Sequence, residues 1–209
     1  MTSQAVECLS DGSPHHRKAK KLSSPHFSVE DTLEILRRAE QSPYEDEAVN
    51  QLQHALQTAQ QARANHVDDV MVAAALLHDI GRAPAVLEHY GNDVHERIGA
   101  MFCAEHISER AAYLVGQHVP AKRYLVATQP TYGDTLSPAS VRSLARQGGP
   151  MTPEEVAEFR AHEYHEQAAQ LRSWDDCAKV RTAATDDLPS YARVLHSVWA
   201  SSSRSDRRP

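Results

Sequence analysis

An adjacent histidine and aspartate, His78-Asp79, end an apolar run of alanine and leucine residues that begins at Ala73. Burying a carboxylate among apolar side chains costs several kcal/mol unless it is paired or bound to a cation. Neutral imidazole and ionised carboxylate are both metal ligands. The pair therefore predicts a buried metal site, and the other ligands must come from elsewhere in the chain.

Further candidate ligands stand singly around this pair, in the order H…HD…H…H…D. A lone histidine on an apolar helix, such as His118, is more often a satisfied core residue than a ligand, and Asp175 could simply cap a helix. Their order on successive predicted helices favours one shared site. His89 lies close enough to His95 in the sequence to be a rival ligand. The candidate ligands are His54, His78, Asp79, His95, His118 and Asp175.

The elements that must position these residues are predicted to be helices throughout. Ser28 and Asp31 have the spacing of a capping box, and Ser137-Pro138 and Thr152-Pro153 each resemble an N-cap followed by proline. Strand-like alternation is nearly absent, so a single all-α domain, a helical bundle, is predicted. Apolar spacing places helices near 45–64, 68–80, 95–106, 108–118, from 121, and over 164–173, 174–181 and 191–200. Residues 82–94 are predicted to be irregular.

Composition is that of a globular protein, with 41% apolar and 24% charged residues in 209. The domain is predicted to span residues 26–200, between flexible tails at 1–25 and 201–209. The first 21 residues hold four basic and two acidic groups, and the last six hold three basic and one acidic. The two ends together carry a charge of +4, so the remaining residues carry −10 and the whole chain −6. A body this acidic is not expected to bind nucleic acid.

Cysteine usage and hydropathy favour a reducing compartment. Cys8, Cys103 and Cys177 are odd in number and widely spaced, so no disulfide framework is indicated. No apolar run reaches the roughly 18 residues of a membrane span, and residues 1–28 lack the apolar core of a secretory signal. A cytoplasmic protein without membrane contact is expected; nothing indicates an oligomeric state.

Four segments that follow the HD pair add to the ligand order. Over about Tyr44 to Lys179, the sequence resembles the HD-domain mixed-valent diiron oxygenases that cleave organophosphonates, and more distantly myo-inositol oxygenase. The segments that carry the resemblance are His118–Leu125, Leu136–Ser140, Gln147–Met151 and Arg172–Asp176.

The resemblance implies an oxidative reaction. In the simplest HD domains, one divalent metal activates water for phosphoester hydrolysis. Here His95 and His118 bring the ligands to six, which suits two metals bridged by Asp79, and mixed histidine and carboxylate ligation favours iron or manganese over magnesium. The family uses two iron ions as an Fe(II)/Fe(III) pair, with dioxygen as cosubstrate.

The implied substrate is a 1-hydroxy-2-(trimethylammonio or amino)ethylphosphonate, which would be cleaved to glycine betaine or glycine plus phosphate. A metal-dependent HD phosphohydrolase acting on a phosphoester or nucleotide is the alternative. A non-catalytic HD-like domain is the third hypothesis, and the intact ligand set argues against it.

The resemblance also carries over residues that would bind the phosphonate. Lys122 and Arg172 match positions that hold it, and Ser140 and Ser143 match hydroxyl donors on the helix that starts at 138. Without the resemblance, the two cations would be interpreted as surface charges.

At the other end of the substrate, Glu47 would pair with the ammonium, although neighbouring Asp46 leaves the carboxylate uncertain by one position. Tyr44 would occupy an iron site until substrate displaces it. Tyr44 and Asp79 are therefore the residues expected to act in catalysis.

Arg82 departs from the family, which has a histidine three residues after the HD aspartate. A guanidinium there could contact the phosphonate or reshape the amine end, and it favours a trimethylammonio or otherwise divergent headgroup. Tyr44, Tyr90 and Tyr132 could supply an aromatic face for such a headgroup.

Overall fold

Helices form the regular structure of residues 26–200, the part of the chain that the computed structural model describes, apart from one antiparallel bridge between Pro43 and Asn50. The all-α prediction is confirmed, while the predicted tails lie outside the described residues. The helices are α1 Val29–Arg38, α2 Gln51–Ala64, α3 Asp69–Leu77, α4 Pro84–Tyr90, α5 His95–His106, α6 Glu109–Thr128, α7 Pro138–Arg146, α8 Pro153–Arg160, α9 His165–Cys177 and α10 Ala192–Val198.

Helix α3 lies at the centre of the molecule, packed against α2, α6, α9 and α10. Every residue from Met71 to Leu77 is buried, as expected for a helix that is apolar on all sides. Its C-terminal end therefore carries the HD pair into the interior. Within residues 26–200, no single helix is long and apolar enough to cross a membrane, although the bent pair Asp69–Arg82 with Pro84–Tyr90 has the length and composition of a span.

The helix starts predicted from capping residues are confirmed. Ser28 forms a reciprocal capping box with Asp31, and Thr152 caps α8 in the same way with Glu155. Ser137 caps α7, whose first residue is a proline. These starts are local, because one side chain satisfies an amide of the first turn.

The predicted start of α2 near Glu45 is wrong. Asn50 caps this helix through a box with Gln53, and the chain before it turns back so that Gln51 N–H bonds the Ser42 carbonyl at 2.9 Å. Glu45 has a φ of 46°, outside the helical region. Residues 44–50 therefore form a loop, referred to below as the entry loop.

The prediction of an irregular segment over 82–94 is also wrong in its first half. Pro84 stands at the first position of α4, where its missing N–H costs nothing, and Gly91 ends the helix with a φ of 98°. The proline starts a helix here instead of breaking one.

Two predicted helix breaks are absent. Pro120 lies inside α6, where the buried residues on either side outweigh the lost hydrogen bond. The Ser173 hydroxyl bonds the Ala169 carbonyl within α9, so the helix continues to Cys177. Asp175 consequently lies inside α9 and caps no helix.

Candidate metal centre and substrate cleft

Five helices bring the candidate ligands together in the interior. His54 lies in α2, His78 and Asp79 at the end of α3, His95 at the start of α5, His118 in α6 and Asp175 in α9. The most open of the six, His95, has a side chain that is 18% exposed.

His54, His78 and Asp79 form one ligand group, and Asp175 lies beside His54. The Nε2 atoms of His54 and His78 are 3.0 Å apart, and Oδ1 of Asp175 lies 3.3 Å from the first. Oδ2 of Asp79 is 3.6 Å from Nε2 of His78 and 3.9 Å from that of His54. Ligands about 2 Å from an ion lie about 3–4 Å from one another, so the atoms of His54, His78 and Asp79 have the spacing of one coordination shell.

The second group uses the other oxygen of the same aspartate. Oδ1 of Asp79 lies 3.1 Å from Nε2 of His95 and 3.8 Å from Nε2 of His118. The two histidine nitrogens are 3.2 Å apart. Asp79 thus presents one oxygen to each group, which is the arrangement of a bridging carboxylate.

The opposite nitrogen of each histidine faces an acceptor, which fixes the tautomer. Nδ1 of His95 lies 3.1 Å from a carboxylate oxygen of Glu96. A nitrogen that faces an acceptor carries the proton, so the Nε2 atom keeps its lone pair. The other acceptors are the carbonyl oxygens of Ala178 for His54 (2.9 Å), Ala75 for His78 (2.8 Å) and Val115 for His118 (2.6 Å).

These tautomers leave the centre short of positive charge. Nε2 lone pairs of His54 and His78 face each other with no proton between them, and so do those of His95 and His118. Oδ2 of Asp79 and Oδ1 of Asp175 are buried and receive no hydrogen bond from the described residues. Both oxygens border the first group, where a cation would satisfy them. In the second group a cation would bind the facing lone pairs of His95 and His118, while Oδ1 of Asp79 also accepts from Arg82. The donor set therefore fits a metal ion in each group.

The ligands also have the protonation states that metals require. Burial lowers the pKa of His78 and of His118, which keeps both neutral. Burial raises the pKa of a carboxyl, but Arg82 holds that of Asp79 well below its usual range, and Arg172 does the same for Asp175.

Gly81 brings α5 against the HD pair. A Cβ at this position would lie 2.0 Å from the carbonyl oxygen of His95 and 2.7 Å from the amide nitrogen of Gly99. Only glycine allows this approach of two backbones. The close contact sets His95 beside Asp79.

Tyr44 enters the site from the entry loop and stacks on His54, with ring centroids 3.8 Å apart. Burial, together with the charges of Asp175 and Asp79, raises its pKa well above the usual value, so the phenol is protonated. Its ligation of a metal stays a prediction.

Arg82 faces the second ligand group. Its Nε donates to Oδ1 of Asp79 at 2.8 Å, and its Nη2 lies 3.2 Å from Nε2 of His95 and 3.5 Å from Glu45. The guanidinium therefore compensates the charge of the HD aspartate and of the entry loop.

A cleft borders the second ligand group. All six residues predicted to bind substrate line it, namely Glu47, Arg82, Lys122, Ser140, Ser143 and Arg172. Their role in binding stays a prediction, but the structure brings them to one place beside His95 and His118.

Lys122 follows His118 by one turn of the unbroken α6. Its Nζ donates to the Ser143 hydroxyl at 2.6 Å, and that hydroxyl donates to the Ser140 carbonyl at 3.0 Å. Burial and the nearby Arg172 lower the pKa of Lys122 to about 8. This ammonium is buried beside the second ligand group.

Arg172 is engaged by carboxylates. It donates to Oδ2 of Asp175 at 2.8 Å and to both oxygens of Asp176. The first contact leaves Oδ1 of Asp175 facing His54. Arg172 thus orients a candidate ligand while it lines the cleft.

Asp46 and Glu47 lie on different sides of the entry loop, and pairing of either with a substrate ammonium stays a prediction. Glu47 lines the cleft, where the Ser137 hydroxyl donates to its carboxylate at 2.5 Å. Asp46 is exposed and pairs with Arg142 on the outside of α7.

Lys179 and Asp176 were missed by the sequence reasoning. Nζ of Lys179 lies 2.7 Å from the Ser140 hydroxyl and 3.3 Å from Asp176. Arg172, Asp175 and Asp176 follow the i, i+3, i+4 spacing of one face of α9, which could have indicated Asp176, whereas Lys179 lies beyond the end of that helix.

Three residues considered in the sequence lie apart from the ligand groups. His89 packs edge-on against Phe27, and the Tyr90 hydroxyl donates to Glu105 at 2.7 Å. Tyr132 donates to Asp176 behind the cleft. Of the three tyrosines proposed as an aromatic face, Tyr44 is the one that lines the cleft.

Comparison with known proteins agrees with this geometry. The family model described as myo-inositol oxygenase matches residues 2–110, a range that contains His54, the HD pair and His95. The chain belongs to the myo-inositol oxygenase family. This family consists of HD-domain oxygenases, so the chain is an enzyme of the oxygenase class.

Two relatives cover most of the chain. A hydroxymethylphosphonate dioxygenase of Gimesia maris is 40% identical over 181 residues, which are 83% of this chain and 89% of the relative. A glycine-betaine-forming 1-hydroxy-2-(trimethylamino)ethyl phosphonate dioxygenase of Leisingera caerulea is 36% identical over 166 residues, 77% of this chain and 85% of the relative. Both are named as phosphonate dioxygenases within the wider myo-inositol oxygenase family.

Proposed function

We propose that this protein is a diiron oxygenase that cleaves the C–P bond of a 1-hydroxyphosphonate, with dioxygen as cosubstrate. The observation that carries the proposal is Asp79, whose two oxygens face two histidine groups at the edge of a cleft that contains a buried ammonium. The names of the two relatives support the same reaction.

Six residues would hold the metals. His54, His78 and Asp175 would bind one iron, His95 and His118 the other, and Asp79 both. When bound as an Fe(II)/Fe(III) pair, the irons supply the activation of dioxygen and the oxidation at C1. The protein supplies ligands, orientation and charge.

The cleft would bind the phosphonate end of the substrate. The Lys122 ammonium and the hydroxyls of Ser140 and Ser143 would face its oxygens, with Arg172 behind them. The distance of one helical turn between His118 and Lys122 would place C1 next to the second ligand group. Tyr44, stacked on His54, would shield the first group from water until substrate enters.

The products follow from the balance of atoms. A 1-hydroxyphosphonate in which C1 carries either two hydrogens, or one hydrogen and one carbon substituent, gives up four electrons in this reaction. C1 becomes a carboxylate, and a P–O bond replaces the C–P bond. One dioxygen accepts these electrons and both of its atoms enter the products. With an amino or trimethylammonio headgroup the carboxylate would be glycine or glycine betaine, and with no headgroup it would be formate.

The test is oxygen dependence. We expect two irons per chain by metal analysis, and one phosphate released and one dioxygen consumed per 1-hydroxyphosphonate turned over. An HD phosphohydrolase would release phosphate equally well under strict anaerobiosis and from a phosphoester, and this outcome would refute the oxygenase proposal. A His95→Ala variant, which keeps the first ligand group, is expected to hold one iron and to lose oxygen-dependent release.

A further inference from the structure

We propose that Lys179 makes the cleft selective for 1-hydroxyphosphonates without a cationic headgroup, a substrate class represented by hydroxymethylphosphonate. The inference rests on the proposed function and adds a specificity-determining residue to it. It concerns the head end of the cleft, defined as the part that Glu47 and Lys179 border.

The carboxylate predicted to receive a substrate ammonium is already paired inside the protein. Nζ of Lys179 lies 3.7 Å from Oε1 of Glu47, and the two side chains are only 10% and 13% exposed. The Ser137 hydroxyl donates to the same oxygen. Glu47 therefore has both a counter-charge and a hydrogen bond before any substrate binds.

The residues before and after Lys179 are both hydrogen-bonded to α2. The Gln57 side chain accepts from the Val180 amide at 3.0 Å and donates to the Val180 carbonyl at 2.9 Å. The preceding carbonyl, that of Ala178, accepts from His54. The backbone around Lys179 is thus tied to α2, and its Nζ donates to the Ser140 hydroxyl at 2.7 Å and to Asp176 at 3.3 Å. Together these contacts hold the ammonium in the cleft.

The second carboxylate at this end is also occupied. Glu45 lies 3.5 Å from Arg82. Every carboxylate that lines the cleft within residues 26–200 therefore has a protein cation within 4 Å. Among the cations that line the cleft, Lys122 has no carboxylate within 4 Å in residues 26–200. Its charge is therefore available for the phosphonate.

A cationic headgroup would meet an unfavourable environment. It would have to separate Lys179 from Glu47 and lie beside an ammonium of like charge, in a site where little water screens the repulsion. Hydrogen in place of the headgroup leaves the pair intact. The pairing therefore favours the smaller, headgroup-free substrate, contrary to the preference that Arg82 suggested in the sequence.

The experiment compares wild type with Lys179→Met, both loaded with iron. Oxygen-dependent phosphate release is measured with hydroxymethylphosphonate and with the 2-amino and 2-trimethylammonio 1-hydroxyethylphosphonates. We expect wild type to prefer hydroxymethylphosphonate in kcat/KM. Lys179→Met frees Glu47 to pair with the headgroup and should raise the ratio of cationic to headgroup-free kcat/KM by about tenfold or more.

A binding measurement on the metal-free protein gives a readout that does not depend on turnover. Calorimetry with methylphosphonate and with 2-aminoethylphosphonate should show the same change in the ratio of Kd values in Lys179→Met. Arg142→Met is the matched control, because it removes a cation from the exposed Asp46 pair that joins the same loop to α7. Its ratios should equal those of wild type.

Loss of Lys179 leaves Glu47 unpaired and could impair folding, so a Glu47→Gln/Lys179→Met double variant is included. With both charges absent, it should discriminate less against cationic ligands than wild type does. Wild-type preference retained in both variants, or a wild type that prefers a cationic substrate, overturns the role of Lys179. If no phosphonate is cleaved with oxygen, the proposed function fails, and the calorimetric ratios alone decide the role of Lys179.

Discussion

A single residue, Lys122, sets the charge at the end of the cleft that would bind the phosphonate. It is buried, it donates to Ser143, and burial together with Arg172 lowers its pKa to about 8. A phosphonate dianion needs the protonated form. Because the lowered pKa lies near neutral pH, the ammonium is charged below pH 8 and is lost as the pH rises through that value.

The resulting prediction is a fall of kcat/KM above pH 8, by about tenfold per pH unit, as expected for one ionisation of the free enzyme. The fall in kcat should begin at higher pH, because a bound dianion raises the lysine pKa. Lys122→Met should lower kcat/KM at pH 7 by about a hundredfold and abolish this limb of the profile. Persistence of the limb in that variant would assign it to a different group.

Glycine at position 81 decides how two elements meet. Its backbone touches that of α5 at His95, and an added Cβ would lie 2.0 Å from a carbonyl oxygen that cannot move independently of the helix. We expect Gly81→Ala to cost about 1–3 kcal/mol in the free energy of unfolding, measured by denaturant titration. It should also lower the iron content toward one per chain, because α5 carries a ligand of the second group only.

Gly133→Ala is the control for this substitution, since its Cβ would have one neighbour at 3.8 Å, an ordinary contact. It should keep both irons and nearly all of the stability. A Gly81→Ala protein with two irons and unchanged unfolding would show that α5 is not held at this point.

The elements also show which parts of the fold and site were predictable from sequence. Helix starts such as Ser28 and Ser137 depend on contacts within four residues, so their caps were predicted correctly. The continuity of α6 through Pro120 was not, because it depends on tertiary packing that outweighs a local helix breaker. The predicted start of α2 near Glu45 was wrong because a bridge between Pro43 and Asn50 closes the entry loop and delays the helix.

The same distinction applies to the candidate site. The ligand order was sufficient to predict that these side chains meet in the interior, because each is carried by a helix whose apolar face turns it inward. Lys179 lies beyond the end of α9, and its placement depends on Gln57, a residue far away in sequence. No pattern near Lys179 specifies that contact.

At the scale of the whole molecule, the ligands connect helices from across the chain to the central α3. The lone pairs and carboxylates that meet there repel one another without an ion, so metal binding should stabilise the whole domain. An ion held at a thousand times its Kd adds about 4 kcal/mol to the free energy of unfolding. For a protein of this size, 1 kcal/mol corresponds to about 2–4 °C in Tm.

Loss of one ion should therefore lower Tm by about 10 °C, and loss of both by about 20 °C, measured by calorimetry with and without a chelator. His54→Ala removes a ligand from the group that also contains His78 and Asp79, so its Tm should respond less to the chelator. His196→Ala, an exposed histidine on α10 far from these groups in the chain, should respond as wild type does. Equal Tm values for metal-loaded and metal-free wild type would contradict this centre, because ions that bind the folded protein and not the unfolded chain must raise Tm.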